Sequence, residues 1–369
     1  MLIKYGPVLD ATTDVLPFIT EYNDKNAHKQ LLQSGDVIIA DTAEDEAVGK
    51  ATEIINVGKR KVVSGLHTIA CRPRVEMAPT YLGFYINSET YHQQLYSLMQ
   101  GVKVLSISKS NIEGTTLCYP TEAEQQKICD LLNLIELRIV KQRQLIEHLK
   151  KYKRGVITSI LKQKIRFNSG VEKYPEWSTI RLDELGFFFG GLSGKTKDDF
   201  EHGDGKFITY LNVFRNTFAL EKGVTLVDVK PNEKQNVIQY GDILFTQSSE
   251  TVEEVGMSSV WLHQSTPYLN SFCMALRPYS LEYINPKYIG YVLRSEQVRL
   301  QIMKEGQGIS RINLASSRIR GVTLPMPCLE EQNHIVKFMD GIEATEAFHS
   351  QLLLQMQSLK SSLLQKLFI

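Results

Sequence analysis

The chain has 369 residues with 24 glycines and 12 prolines, a length that allows two domains of ordinary size or three small ones. Hydrophobic residues make up 43% and charged residues 22%, which excludes a disordered chain or a fibre and permits a sizeable core. Lys and Arg number 42 against 41 acids, so a wholly basic, histone-like binder is excluded, while a local basic surface is not. No apolar run approaches the roughly 18 residues that span a bilayer, and residues 1–9 lack the apolar core of a signal peptide. Cys71, Cys118, Cys129, Cys273 and Cys328 stand singly, with no CxxC and no Cys/His spacing. Neither a zinc site nor a disulfide framework is expected, and the expected location is cytoplasmic.

The chain repeats itself. Gly114–Ile128 and Gly321–Ile335 share seven of fifteen positions at an offset of 207, where unrelated segments share roughly one. Gly35-Asp36-Val37-Ile38 faces Gly241-Asp242-Ile243-Leu244 at 206, Arg72-Pro73 faces Arg277-Pro278 at 205, and Tyr81–Phe84 faces Tyr288–Tyr291 at 207. Tyr5 and Val8 are matched with Tyr210 and Val213, at 205. A duplicated unit of about 206 residues is far too long for a solenoid repeat.

Each unit opens with a mixed front part. In the second, Phe207–Val213, Asp242–Thr246 and Met257–Leu262 read as β-rich runs between turn residues. Pro286–Gln301 reads as helical. Each unit then closes with one long helix, expected over Glu122–Ile165 and Leu329–Phe368. Thr121 and Glu124 fit a capping box at the start of the first, and Gly155 is its one late break. Ile128, Ile135, Gln142, Leu149 and Val156 recur every seven, with Leu131 or Leu132, Arg138 or Ile139, Leu145 and Tyr152 between them. Ile335, Ile342, His349, Met356 and Leu363 repeat the pattern, with Phe338, Thr345, Leu352, Leu359 and Lys366 or Leu367 between them. Four to five heptads argue for a coiled coil. The alternative is two amphipathic helices, each packed on its own domain. Roughly 40 residues make a rod of about 60 Å, longer than one small domain needs.

In this order and given twice, these features resemble the DNA-specificity subunit of Type I restriction–modification systems. The resemblance is carried by Tyr174-Pro-Glu-Trp177 through Leu182-Asp-Glu-Leu185, Gly190–Thr196 through Ile208–Phe214, Gly241-Asp-Ile-Leu244, Gly306-Gln-Gly308 to Arg318-Ile319, Leu324-Pro-Met-Pro327 and Glu330-Glu-Gln332. It implies an α+β protein with two pseudo-repeated mixed α/β target-recognition domains. Each is followed by a long helix, and the two helices pack as an antiparallel coiled coil. The implied domains are residues 1–120 and 167–327, with conserved helices over 121–166 and 328–369. Each recognition domain would read one half of a split site in double-stranded DNA, and the helices would fix the gap. The family implies no catalytic activity and no cofactor in this chain. Its partners would be two adenine methyltransferase subunits, which would hold S-adenosylmethionine, and restriction–translocation subunits. One departure stands out. Tyr210 follows Tyr174 by 36 residues, whereas four residues precede Tyr5, so the first domain is expected to lack roughly 32 residues of opening strand and glycine loop.

Gly190-Gly-Leu-Ser-Gly-Lys-Thr196 approximates a phosphate-cradling P-loop, but the first glycine of that motif would have to stand at Phe189. A glycine loop on a DNA-facing surface, with Lys195 near phosphates, is the better reading. No HExxH, GxSxG or Asn/Asp-Pro-Pro-aromatic motif occurs, so neither metalloprotease, hydrolase nor methyltransferase chemistry is expected. Base reading calls for polar or cationic loop residues that reach the major groove. The candidates are Lys195, Thr196, Asn212, Arg215, Asn216, Gln247, Ser248, Ser249, Gln307, Ser310 and Arg311 in the second unit, and Asp41, Thr42, Lys103, Ser106 and Ser108 in the first. Each alone is more often a plain loop residue. Gln247–Ser249 is matched with Thr42–Glu44, and the pairs differ at such loops while agreeing at Gly, Pro and apolar positions. From Arg138 to Arg166 ten basic residues stand against Glu147 alone. Lys150, Lys151, Lys153 and Arg154 are candidates for spacer-phosphate or partner contact, against the plainer reading of a solvated helix face. A coiled-coil scaffold without DNA recognition is the rival reading; a nucleotide-dependent enzyme or a nuclease is the third.

Overall fold

The computed structural model describes residues 7–12, 31–43, 47–168 and 174–368. It divides into two compact units, residues 1–145 with 349–369, and residues 146–348. Among the described residues no helix is long and apolar enough to cross a membrane.

The first unit contains β1 (Val8–Asp10), β2 (Val37–Ala40), β3 (Thr42–Ala43), β4 (Ala51–Ile55), β5 (Thr68–Cys71), α1 (Tyr81–Tyr85), α2 (Glu89–Tyr96), β6 (Leu105–Ser106) and α3 (Lys109–Glu113), followed by the start of α4 (Glu122–Leu161). Its sheet has the order β1-β4-β2-β5. The β2 and β4 side chains that point inward, such as Val37, Ile39 and Ala51, pack with Tyr81, Phe84 and Leu95 of the helices.

The second unit contains β7 (Ser178–Arg181), α5 (Leu182–Leu185), β8 (Gly186–Gly190), β9 (Phe200–Ile208), α6 (Tyr210–Arg215), β10 (Val224–Val227), β11 (Ile243–Thr246), β12 (Ser248–Ser249), β13 (Ser258–Val260), β14 (Tyr268–Leu269) and β15 (Cys273–Pro278). After these come α7 (Pro286–Leu293), α8 (Glu296–Lys304), β16 (Ile312–Asn313), α9 (Ser316–Ile319), β17 (Thr323–Met326) and the start of α10 (Leu329–Leu367). The main sheet is β13-β11-β15-β8, and a second sheet is β10-β9-β14. The β11 strand is buried along its whole length, which its unbroken run Ile243-Leu-Phe-Thr246 requires.

The same bonds recur in both units. Arg72 grips the buried Asp36 at 2.7 Å, and Arg277 grips the buried Asp242 at 2.7 Å. The Gln94 amide bridges the Thr116 N–H and C=O, and Gln301 bridges those of Thr323. The Gln125 amide accepts from the Ala78 N–H and donates to the Pro120 carbonyl. Gln332 accepts from the Asn285 N–H and donates to the Pro327 and Tyr283 carbonyls. Gln332 is fully buried, so Gln332→Leu leaves an N–H unpaired and two carbonyls short of a donor. We expect urea denaturation to record a loss of at least about 3 kcal/mol, at roughly 1–3 kcal/mol for each of the three groups stranded.

Several expectations change. Only Phe207 and Ile208 of the run Phe207–Val213 are strand. Thr209 caps the next segment by accepting from the Asn212 N–H, and Tyr210–Arg215 turns helical. Pro286–Gln301 is two helices, α7 and α8, separated at Arg294-Ser295. Val8 is not the partner of Val213. It lies on β1, parallel to β4, while Val213 is on α6. The residue in Val8's position is Phe218, which bridges Val260 in parallel. Tyr5 lies outside the described residues. The counterpart of Gln247 is Asp41, not Thr42: the Gln247 carbonyl accepts from the Leu314 N–H and the Asp41 carbonyl from the Ile107 N–H. Glu44 lies outside the described residues.

The long helices end close to expectation, at Leu161 and Leu367, and α4 runs through Gly155 unbroken. Thr121 makes no side-chain capping bond among the described residues; its carbonyl accepts from the Glu124 and Gln125 N–H groups. The buried row on α4 is Leu132, Ile139 and Ile146, continued by Ile160. Leu131, Leu145 and Tyr152 face outward, and so does Leu359 on α10. In the first unit Gln142 donates to the His349 carbonyl at 2.8 Å, and Lys360 pairs with Glu136. In the second, Lys153 pairs with Glu343 at 3.2 Å. These partners obey the repeat, since 343 − 136, 349 − 142 and 360 − 153 all equal 207.

Candidate nucleic-acid interface

Each unit projects one small ribbon. In the second, Ser248 and Ser249 of β12 pair with Asn313 and Ile312 of β16. The chain enters β16 through a hairpin closed by mutual backbone bonds between Gln307 and Asn313. In the first, Thr42 and Ala43 pair with Ser106 and Leu105, and the hairpin closes between Gln100 and Ser106. Both hairpins turn on a glycine with positive φ, Gly308 at +134° and Gly101 at +125°. A Cβ there would lie 1.9 Å from the carbonyl oxygen of Arg311 or Val104. Only glycine lets the hairpin close.

The tips share a shape and differ in chemistry. Ile309 and Val102, at the same repeat position, are fully exposed. Beyond them stand Ser310 and Arg311 in the second unit and Lys103 and Val104 in the first, all exposed. A two-stranded ribbon is narrow enough for the major groove. The fold thus gathers Gln247, Ser248, Ser249, Gln307, Ser310 and Arg311 on one ribbon, and Thr42, Lys103 and Ser106 on the other. Their freedom differs. The Ser249 hydroxyl is spent on the Thr251 carbonyl at 2.7 Å, and the Ser248 hydroxyl is buried with no hydrogen-bond partner among the described residues. Gln307, Ser310 and Arg311 are exposed, and Gln247 is half-buried. Ser108 follows the first ribbon and caps α3 by accepting from the Asn111 N–H.

The remaining candidates lie elsewhere. The Lys195 ammonium is 2.5 Å from Glu233, with its side chain 3% exposed. Its pKa is raised, first by that hydrogen bond. Thr196 bonds Asp199 through both its N–H and its hydroxyl. The segment Gly190–Thr196 leads into a single 3₁₀ turn, Lys197–Asp199, not into the helix whose N-terminus a P-loop uses. Asn212 is buried and staples the Leu220 and Gly223 backbone to α6. Asn216 donates to Asn212. Arg215 is exposed at the end of α6.

Three supporting residues escaped the sequence reading. The Tyr210 hydroxyl donates to the Ser248 carbonyl at 2.6 Å and anchors the ribbon. Arg299 donates to the Glu253, Val255 and Gly256 carbonyls, holding the loop that follows β12. Arg294 donates to four carbonyls between Val213 and Ser258. Burial lowers both arginines to about 10. No sequence signal marks them, because their partners are backbone. The exposed aliphatic tips were missed as well, although a signal exists for them: Ile309 and Val102 follow Gly308 and Gly101 at offset 207. Among the described residues no group of three or more His, Cys, Asp or Glu is placed to hold a metal.

Residues 174–357 match the Type I restriction modification DNA specificity domain. The MjaX type I restriction enzyme specificity subunit assigned in Methanocaldococcus jannaschii is 20% identical over 364 residues, covering 93% of this chain and 80% of that protein. This chain belongs to the type I specificity-subunit family. Solved structures agree on the fold. One, from work on complex assembly and conformational transition of the type I R-M system, superposes with a TM-score of 0.63 at 18% identity, covering 98% of this chain and 90% of that one. The S subunit from M. genitalium gives 0.52 at 13% identity, covering 99% and 89%.

In this specificity subunit the basic run from Arg138 to Arg166 is partly neutralised. Lys153 is shared by Glu343 at 3.2 Å and Glu346 at 3.4 Å. Arg166 meets the fully buried Glu331 at 2.9 Å, and Trp177 donates to the same carboxylate. Lys150 bonds Glu147 on its own helix at 2.9 Å, an exposed pair of small energetic weight. Lys151 and Arg154 are exposed and make no ion pair among the described residues. They are the free cations of the predicted contact group.

Proposed function

We propose that this specificity subunit reads a bipartite site in double-stranded DNA, one half with each ribbon, and recruits methyltransferase and restriction subunits. The observation that carries the proposal is the pair of ribbons, alike in backbone and different at their tips. A shared scaffold with different readers is what two different half-sites require. In this reading the two units are repeated target-recognition domains, over residues 1–120 and 167–327. The helices over 121–166 and 328–369 form an antiparallel coiled coil that spaces them. The matched pairs Glu136–Lys360 and Lys153–Glu343 support it. The chain itself is non-catalytic and holds no cofactor, and S-adenosylmethionine belongs to the methyltransferase partner. The setting is the cytoplasm. The rival of a scaffold without DNA recognition is not favoured by the family.

The test compares two variants of the assembled complex. Arg311→Ala should relax preference at one position of one half-site, by about 1–3 kcal/mol, and leave the other half intact. Lys151→Ala with Arg154→Ala should weaken binding to all sequences alike and flatten the salt slope by roughly two units. Methylome sequencing and salt-dependent mobility shifts read both. Relaxation of both half-sites by Arg311→Ala would sink the two-reader proposal.

A further inference from the structure

The two units differ where one side of the core is closed. In the second, β7 pairs with β17 and β8 pairs with β15. Between them α5 drives Leu182 and Leu185, both fully buried, into the core cluster that also holds Leu276, Ile289, Ile319 and Leu324. The β15 residues Cys273–Leu276 are completely covered.

Among the described residues of the first unit, no strand lies in either position. β5 is the counterpart of β15, since Cys71 pairs with Val37 as Leu276 pairs with Ile243. It ends its sheet, and all four of its residues keep some exposure. Leu117 is 38% exposed where Leu324 is 0%, and Tyr119 is 49% exposed where Met326 is 8%. Between these two edges lies a groove of about 290 Å³. Its lining includes Cys71, Leu82, Ile112 and Leu117, the counterparts of Leu276, Ile289, Ile319 and Leu324, which share one core cluster with Leu182 and Leu185. Arg72 stands at its rim, and its counterpart Arg277 lies 5.1 Å from the Phe189 ring of β8.

We infer that this groove docks a strand–turn–strand peptide of the pattern Trp177–Gly190, with two leucines three residues apart and an aromatic strand after them. The inference rests on the reading of the chain as two repeated domains. The β5 edge, and the segment Leu117–Tyr119 that stands where β17 pairs with β7 in the second unit, demand extended backbone on both sides of the turn. The apolar floor between them demands aliphatic side chains at the turn. An aromatic residue in the second strand would meet Arg72 as Phe189 meets Arg277.

The test uses the full chain and a fluorescent synthetic peptide with the sequence Trp177–Gly190. We expect saturable binding by anisotropy and at least tenfold slower alkylation of Cys71, with Cys328 unchanged as the internal reference. A peptide carrying the Leu182→Asp and Leu185→Asp changes should bind at least tenfold more weakly. So should the wild-type peptide on the Leu117→Glu chain, a change at a surface position that leaves the fold intact by circular dichroism. Absence of saturable binding, equal binding of the aspartate peptide, or unaltered Cys71 reactivity would overturn the inference. So would a Cys71 already protected in the free chain, because the groove would then be filled. DNA binding of the assembled complex is read separately. Its loss with peptide binding intact would count against the proposed function alone.

Discussion

Arg277→Ala should destabilise the second unit by about 3–5 kcal/mol, the cost of stranding a buried charge. The Asp242 carboxylate is 1% exposed and receives two guanidinium bonds, at 2.7 and 2.9 Å, and one from the Gln239 N–H. The same guanidinium also donates to the Val237 carbonyl, so one side chain ties β15 to the turn before β11. The matching Arg72→Ala in the first unit should cost less. Arg72 is 35% exposed against 25% for Arg277, and water is better placed to replace it. Urea denaturation should record a lower midpoint at an unchanged slope. Replacing Arg277 and Asp242 together by Met and Asn should recover most of the loss, since no bare charge then remains. A loss under 1 kcal/mol for Arg277→Ala would show that solvent already holds the carboxylate.

Gly308→Ala should impair recognition of one half-site while leaving the fold standing. The new Cβ would lie 1.9 Å from the Arg311 carbonyl oxygen, on a residue with φ of +134°. Backbone cannot yield as a side chain would, so the hairpin must open and Ile309, Ser310 and Arg311 must move together. We expect mobility shifts of the assembled complex to show a loss of 10- to 100-fold, about 1–3 kcal/mol, from a disturbed base contact. The loss should vanish when the corresponding half-site is scrambled. Gly101→Ala should do the same to the other half, its Cβ meeting the Val104 carbonyl. Because both tips are exposed, thermal stability should change little. Unchanged DNA binding by a folded Gly308→Ala complex would remove the ribbon from the interface.

The sequence by itself determined the matched motifs and the long helices. Glycines, the Arg72 and Arg277 positions, and the amides of Gln125 and Gln332 recur because one backbone needs the same bonds twice. The helix ends were legible to within a few residues because 40-residue periodicity without proline has one low-energy outcome. Which heptad row faces inward was decided only by packing. Leu145 and Ile146 are equally apolar neighbours, and only Ile146 is buried. The turn of Tyr210–Arg215 into a helix was likewise tertiary, since a β-rich string was overruled by the Thr209 cap and by burial of Val213. The candidate readers divided along the same line. Residue type alone could not separate Arg311, exposed on its hairpin, from Lys195, held by a glutamate 38 residues away. Nor could it separate Gln247, half-buried on the ribbon, from Asn212, consumed by backbone eight to eleven residues on. A polar side chain's freedom depends on what the fold brings within hydrogen-bond reach, and a one-dimensional pattern does not contain that distance.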